Sequence, residues 1–314
     1  MPLNYPRHNG DVAEVERPPI AHPLFRAATK VAASFCVRPS GYNGPMPEEQ
    51  TPDPAGDALL EGFLSVCAAL EGGHRPVRGV LIREGKSDAQ TRRLEQLARG
   101  VNVSVERIPD AAIEAQAGGR THGGVLAHVG PYRFSGLAAL AAGVPRPFVA
   151  MIDGVEDPFN FGAAVRALYA AGADGLVLRP RNWLSAAGTV ARASAGASER
   201  IPTALAETAA EAALFFRARG LAVACATDER GSRSLYDADL SAPLFLLIGG
   251  EKRGITRSFL DQADLKLRIP YGRETANSLG TASATAVIAF EIMRQRGAGQ
   301  IPPAVRSGTD LRSR

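Results

Sequence analysis

Three short stretches of this chain concentrate residues that could do chemistry. The first, GVEDPFNFGAAVR at residues 154–166, carries Asn160 and Gly162 and ends on Arg166. A guanidinium in an otherwise small and apolar run presents a planar donor fork suited to phosphate. Asn160 either caps a helix or serves a ligand, and Gly154 and Gly162 would allow tight turns. The second stretch, GGEKRG at residues 249–254, bares backbone N–H groups through Gly249, Gly250 and Gly254. Its Glu251 either orients a neighbour or caps the next helix. The stretch lacks the Lys-Ser/Thr step of a P-loop and is not GxGxxG. The third, IPYGRETANSLGTASATA at residues 269–286, passes from Pro270 through a polar loop to Ser278, which opens a helix of small residues. Small side chains let backbone come close to another helix or to a ligand.

Each stretch follows an apolar run that reads as a strand: FVAMID, APLFLLI and LKLRI. Ligands of open α/β sheets sit beyond the carboxyl ends of strands. Three such turns, lined by glycine or small residues, would make a shallow pocket walled by backbone and suited to a flat, adenine-like ligand. The strands are apolar throughout, as in a parallel sheet covered on both faces. GLVLRP and LAVACA add strands, and AAGTVARASAGA, TAAEAALFFRARG and AAVRALYAAG add helices, with Arg166 in the second turn of the last.

Upstream, DALLEGFLSVCAALEGG reads as a helix, VRGVLIR, VNVSVERI and GGVLAHV as strands, and two further helices lie between them. The expected organisation is a proline-rich, partly disordered extension over 1–55 with one helical stretch at Leu24 to Val37, a small α/β domain over 56–130, a linker over 131–146, a larger α/β domain over 147–300 and a flexible tail over 301–314.

Composition narrows the classes. The 314 residues suffice for two domains. No run approaches a membrane span and the N-terminus has no signal-peptide core, so a cytoplasmic protein is expected. Three scattered cysteines and five histidines offer no metal-ligand spacing. The net charge of +4, with arginine far outnumbering lysine, admits nucleic-acid binding but equally fits arginine-rich coding. Arg75, Arg78, Arg92 and Arg93 are candidate contacts in the first domain, where a solvated helix face would serve as well.

In order and spacing, the three stretches resemble the three motifs of the SpoU (TrmH-like) RNA methyltransferases. Asn160, Gly162 and Arg166 match the first motif, Gly249, Glu251 and Gly254 the second, and Pro270, Ser278 and Leu279 the third. RASAGASERIP at 192–202 resembles the intervening stretch, and GFLSVCAALEGGHRPVRGVLI and THGGVLAHVGP are similar to the substrate-recognition domain joined to many of these enzymes, with Gly124 where glutamine is common.

The resemblance implies a C-terminal parallel-sheet trefoil knot (SPOUT fold), a homodimer through that domain, and S-adenosyl-L-methionine held by Gly249, Gly250, Gly254, Ile269 and Leu279. It implies methyl transfer to a ribose 2′-hydroxyl of RNA, ribosomal before transfer RNA, with Arg166, Asn160, Glu251 and Ser278 at the reaction. In the family the motif-one arginine is proposed to activate the hydroxyl. Its high pKa favours a phosphate-holding role for Arg166 instead, with proton removal left open. Gly280 departs from the family's Ser-Leu-Asn, so either Asn277 or Thr281 substitutes or the chain is a weak or inactive RNA-binding relative.

Overall fold

The computed structural model describes residues 56–119, 121–180, 186–250, 254–273 and 278–297. The Leu24 to Val37 stretch, Cys36 and the C-terminal tail lie outside the described residues.

The first part is built on a four-stranded sheet. Its elements are β1 (Ala58–Glu61), α1 (Phe63–Gly72), β2 (Val77–Arg83), α2 (Ala89–Gly100), β3 (Val105–Ile108), α3 (Asp110–Gln116) and β4 (Val125–Val129). The strand order is β1-β4-β2-β3, with β4 antiparallel to both neighbours and β2 parallel to β3. β1 corrects the single helix expected over this stretch. Gly62, at φ +84°, breaks the chain between strand and helix, and Leu59 and Leu60 pair with His128 and Ala127. A conformation of that kind favours glycine. Asp88 caps α2 by accepting the Thr91 N–H at 2.7 Å.

The second part carries β5 (Phe148–Asp153), α4 (Pro158–Ala170), β6 (Gly175–Leu178), α5 (Ala187–Ala193), β7 (Thr203–Leu205), α6 (Ala209–Arg217), β8 (Ala222–Ala226), β9 (Arg233–Ser234), β10 (Leu244–Gly249), α7 (Arg257–Leu260), β11 (Leu265–Arg268) and α8 (Thr281–Gln295). The seven strands lie in the order β7-β6-β5-β10-β8-β11-β9 and pair in parallel. Their alternate side chains feed two cores. Phe148, Ala150, Ile152, Leu246 and Ile248 meet α4 and α8 residues such as Val165, Leu168, Ile288 and Ile292 on one face. Val149, Met151, Phe245 and Leu247 meet Ala213 and Phe216 of α6 on the other. Two covered faces explain why these strands read as unbroken apolar runs.

The helix expected over 186–197 stops at Ala193. Ala195 (φ +52°) and Gly196 (φ +84°) turn the chain into a 3₁₀ turn, Ala197–Glu199. β7, β9 and α7 were not expected, being two to four residues long and without periodicity.

Residues 131–146 pack against both parts. Tyr132 is buried, the Ser135 N–H donates to Thr203 O at 2.8 Å, and Leu140 lies beneath Gly175, where a Cβ would come within 2.7 Å of its own.

Candidate active site

The turns after β5 and β10 close onto each other. The two strands run in register to their last residues, Asp153 opposite Gly249. The Gly250 N–H then donates to Asp153 O at 2.7 Å, and the Gly254 N–H returns to Gly250 O at 2.9 Å. No side chain fits between them. A Cβ on Gly250 would overlap Gly154 O, and one on Gly249 would come within 2.8 Å of both the Gly254 carbonyl carbon and Ile255 Cγ1. Gly254 holds φ +57° with open space where a Cβ would point. Glu251 lies outside the described residues.

Beyond the first turn, Asp157 is the N-cap of α4, with its carboxylate accepting the Phe159 N–H at 3.3 Å and the Asn160 N–H at 2.9 Å. Asn160 therefore does not cap the helix. It sits half-buried in the first turn, and its side chain is free of that duty. Asp-Pro at the head of a helix was the missed signal, a cap followed by proline at the first helical position. The earlier start puts Arg166 in the third turn rather than the second. Arg166 is exposed and forms no ion pair among the described residues. Gly162 lies within α4, not in a turn. A Cβ there would come within 2.6 Å of Ala193 Cβ and 3.0 Å of Val190 O, so this glycine allows α5 to approach.

At the third strand end, Ile269 packs half-buried against the α4/α8 core. The Leu279 N–H donates to the Tyr271 hydroxyl at 2.9 Å, which ties the loop's far end back to the strand. Ser278, Leu279 and Gly280 are all exposed. The helix begins at Thr281 rather than Ser278, and Gly280 stands at its N-cap without a side-chain hydrogen bond. Asn277 lies outside the described residues. The small residues of α8 have a helix partner: α8 packs along α4, with Thr281, Thr285, Ile288 and Ala289 buried. Thr285 answers its own burial by donating its hydroxyl to Thr281 O at 2.7 Å.

One pair escaped the sequence reading. Arg179, just past β6, holds Asp153, at the end of the adjacent β5, at 3.3 Å. It brings a guanidinium to the carboxyl edge of the sheet.

The four candidate RNA-contact arginines divide. Arg75 is buried against Glu199 at 2.8 Å and presents nothing to solvent, which removes it as a surface contact. Burial pushes the Glu199 carboxyl up, against the pull of Arg75. Arg78 pairs with Asp57 and Arg93 with Glu71. Arg92 is exposed. Among the described residues no group of three or more potential ligands could hold a metal ion, and no helix is long and apolar enough to cross a membrane.

Comparison with known proteins matches both parts of the chain. The SpoU rRNA methylase family matches residues 147–290, and the family described as RNA 2′-O ribose methyltransferase substrate binding matches residues 59–135. A relative from Xanthomonas axonopodis pv. citri (strain 306), named 23S rRNA (guanosine-2′-O-)-methyltransferase RlmB, is 32% identical over 76% of this chain and 96% of its own length. One of the same name from Pseudomonas aeruginosa is 31% identical over 75% of this chain and 95% of its own. Among solved structures, an AdoMet-bound rRNA methyltransferase from Sinorhizobium meliloti is similar at TM-score 0.63 and 26% identity, over 76% of this chain and 87% of its own.

Proposed function

Because the chain belongs to the SpoU methylase family, we propose that it methylates a ribose 2′-hydroxyl of RNA with S-adenosylmethionine as donor, and that its substrate is ribosomal rather than transfer RNA. The observation that carries this reading is the mutual closure of the motif-one and motif-two turns, Gly250 on Asp153 and Gly154, with an exposed Arg166 on the helix that follows, in no ion pair among the described residues.

The residues fit the donor. Gly249 and Gly250 leave a wall of bare backbone where any side chain would collide. Ile269, Tyr271 and Leu279 offer partly exposed apolar surface at the third strand end, of the kind a purine ring requires. We assign Gly249, Gly250, Gly254, Ile269 and Leu279 to holding the cofactor. When bound, S-adenosylmethionine supplies an electrophilic sulfonium methyl. The protein's task is to align the acceptor and disperse its charge. Arg166, exposed on α4 and permanently charged, holds a substrate phosphate beside the 2′-hydroxyl. Asn160, Glu251 and Ser278 orient the nucleotide around it. Gly280 offers backbone alone at its position. The match over nearly the whole length of relatives named as methyltransferases favours an active enzyme over an inactive RNA-binding one.

The working unit in this reading is a homodimer with a knotted C-terminal segment. Support for the dimer is the apolar surface left open on the two helices that frame the site: Phe159 and Tyr169 on α4 are 57% and 42% exposed, and Phe290 on α8 is 43% exposed. Support for the knot is strand order. β10 inserts between β5 and β8, β11 lies beyond β8, and the chain then returns to lay α8 on α4. A cytoplasmic location follows from a ribosomal substrate.

The test is mass spectrometry of ribosomal and transfer RNA from a strain lacking the gene. Loss of one 2′-O-methyl group from ribosomal RNA, restored by the intact chain, is the expected result. Unchanged ribose methylation at every site would reject the proposal.

A further inference from the structure

The recognition module and the methylase sheet meet across a seam built from charge. Arg75 lies in the turn after α1, and Glu199 ends the 3₁₀ turn beyond α5. Arg75 Nε stands 2.8 Å from Glu199 Oε2, and the two side chains are only 5% and 2% exposed. Neither atom makes a hydrogen bond of good geometry, so charge holds them together. Tyr132 closes the box, with its ring centroid 5.1 Å from the Arg75 guanidinium and its hydroxyl donating to Ile201 O at 3.3 Å. Outside this box, Arg192 pairs with Glu61 at 2.5 Å and Arg200 with Glu71 at 2.6 Å.

The seam leaves no play. A Cβ on Gly72 would overlap Glu199 O, one on Gly188 would lie 2.5 Å from Leu59 O, and one on Gly196 would lie 2.5 Å from Ala68 Cβ. α5 carries the seam onward to the site. It packs on β1 on one side and, through Gly162, on α4 on the other. Recognition module, α5 and α4 are therefore one continuous packed body that ends at Asn160 and Arg166.

A buried ion pair adds little stability, because dehydrating two charges offsets their attraction, and an apolar pair of similar volume often does as well. What it imposes is register. Any slide or rotation of the seam strands one charge where water cannot reach it.

We propose that Arg75 and Glu199 are positioning residues for RNA methylation, a latch that holds the recognition module in one register on α5 so that RNA gripped by the module meets Arg166 at a fixed distance. The latch rests on the function proposed above. Neither residue touches reacting groups. Loosening it lowers turnover and blurs the choice of ribose, while donor binding stays as it was.

The experiment uses the full chain as wild type, Arg75→Leu and the double variant Arg75→Leu with Glu199→Leu, with unmethylated ribosomal RNA from the deletion strain as probe. Hydrogen exchange follows the amides of Arg133 and Ser135, which donate to His74 O and Thr203 O on the two sides of the seam, calorimetry follows S-adenosylmethionine, and methyl incorporation is mapped by mass spectrometry. For Arg75→Leu we expect seam exchange and turnover to change at least tenfold, faster and slower respectively, with methyl groups spread to neighbouring riboses. Its donor affinity should stay within twofold. The double variant, which strands no charge, should regain wild-type stability but still spread methyl groups to neighbouring riboses, because its seam can slide without penalty; wild-type site choice in it would overturn the latch. It also carries the test if the single variant does not fold. Unchanged exchange in Arg75→Leu overturns the latch. So does a loosened seam with unchanged site choice, since a merely structural pair would move stability alone. A wild-type chain that methylates no RNA rejects the function itself, and the exchange rates still decide whether the latch exists.

Discussion

Gly250 lies directly against Gly154: a Cβ on the first would overlap the carbonyl oxygen of the second. Two strand ends thus meet backbone to backbone at the floor of the proposed donor site. Gly250→Ala must push β5 and β10 apart, and such overpacking costs about 1–3 kcal/mol. Calorimetry should show donor affinity reduced at least tenfold. Gly254→Ala meets no neighbour but needs a left-handed backbone, a penalty of only about 1 kcal/mol. Wild-type donor affinity in Gly250→Ala would remove these turns from the site.

Arg166→Ala should separate chemistry from stability. The side chain is exposed and makes no ion pair among the described residues, so thermal unfolding should move by less than about 0.5 kcal/mol. Methyl transfer should fall at least a hundredfold, as for loss of one preorganised charged contact at a reacting centre. Single-turnover rates with donor and RNA both saturating provide the check. A small loss of rate would return the role to another residue, with Arg179, at the end of the adjacent strand, the alternative to test.

Asp157 and Asn160, three residues apart, should fail differently. Asp157→Ala removes the α4 cap and should cost about 1 kcal/mol of stability. Asn160→Ala leaves the cap in place, so its effect should appear in turnover rather than in the melting temperature. Paired melting and rate measurements decide this. Equal stability losses would contradict the capping assignment.

If α4 and α8 form the dimer face, Phe290→Glu places a charge in an apolar interface. Sedimentation should then report monomers, with donor affinity lowered alongside if the partner completes the site. A monomeric wild type would reject the dimer.

The described thiols should be inert. Burial pushes both Cys67 and Cys225 up to about 11, leaving roughly a hundredfold less thiolate at pH 8 than an exposed cysteine has. Iodoacetamide at pH 8 should modify either one only after denaturation, as read by peptide mass spectrometry. Rising pH should bring reactivity back only near that value, because the neutral thiol persists below it.

Much of this protein is local in its sequence. The apolar runs of β5, β8 and β10 declare a covered parallel sheet because both faces of each strand need apolar partners. The glycines after β5 and β10 are visible as letters, and so is the lone arginine of α4. Local pattern also holds quieter signals, such as Asp157-Pro158 at a helix start and Gly62 ending a strand four residues long. Other features have no local signature. Nothing around Arg75 distinguishes it from Arg92, yet one is buried against Glu199, 124 positions away, and the other faces water. Nothing around Gly162 says that it admits α5 rather than bends the chain. Pairing across such distances depends on which surfaces the folded chain brings together. Local pattern declared the long apolar strands, the glycine-bearing turns and the side chains they carry, but not β1, β7, β9 or α7. Which turns touch, which arginine is buried in the seam and which stays exposed depend on packing, because burial and charge pairing are properties of neighbours in space.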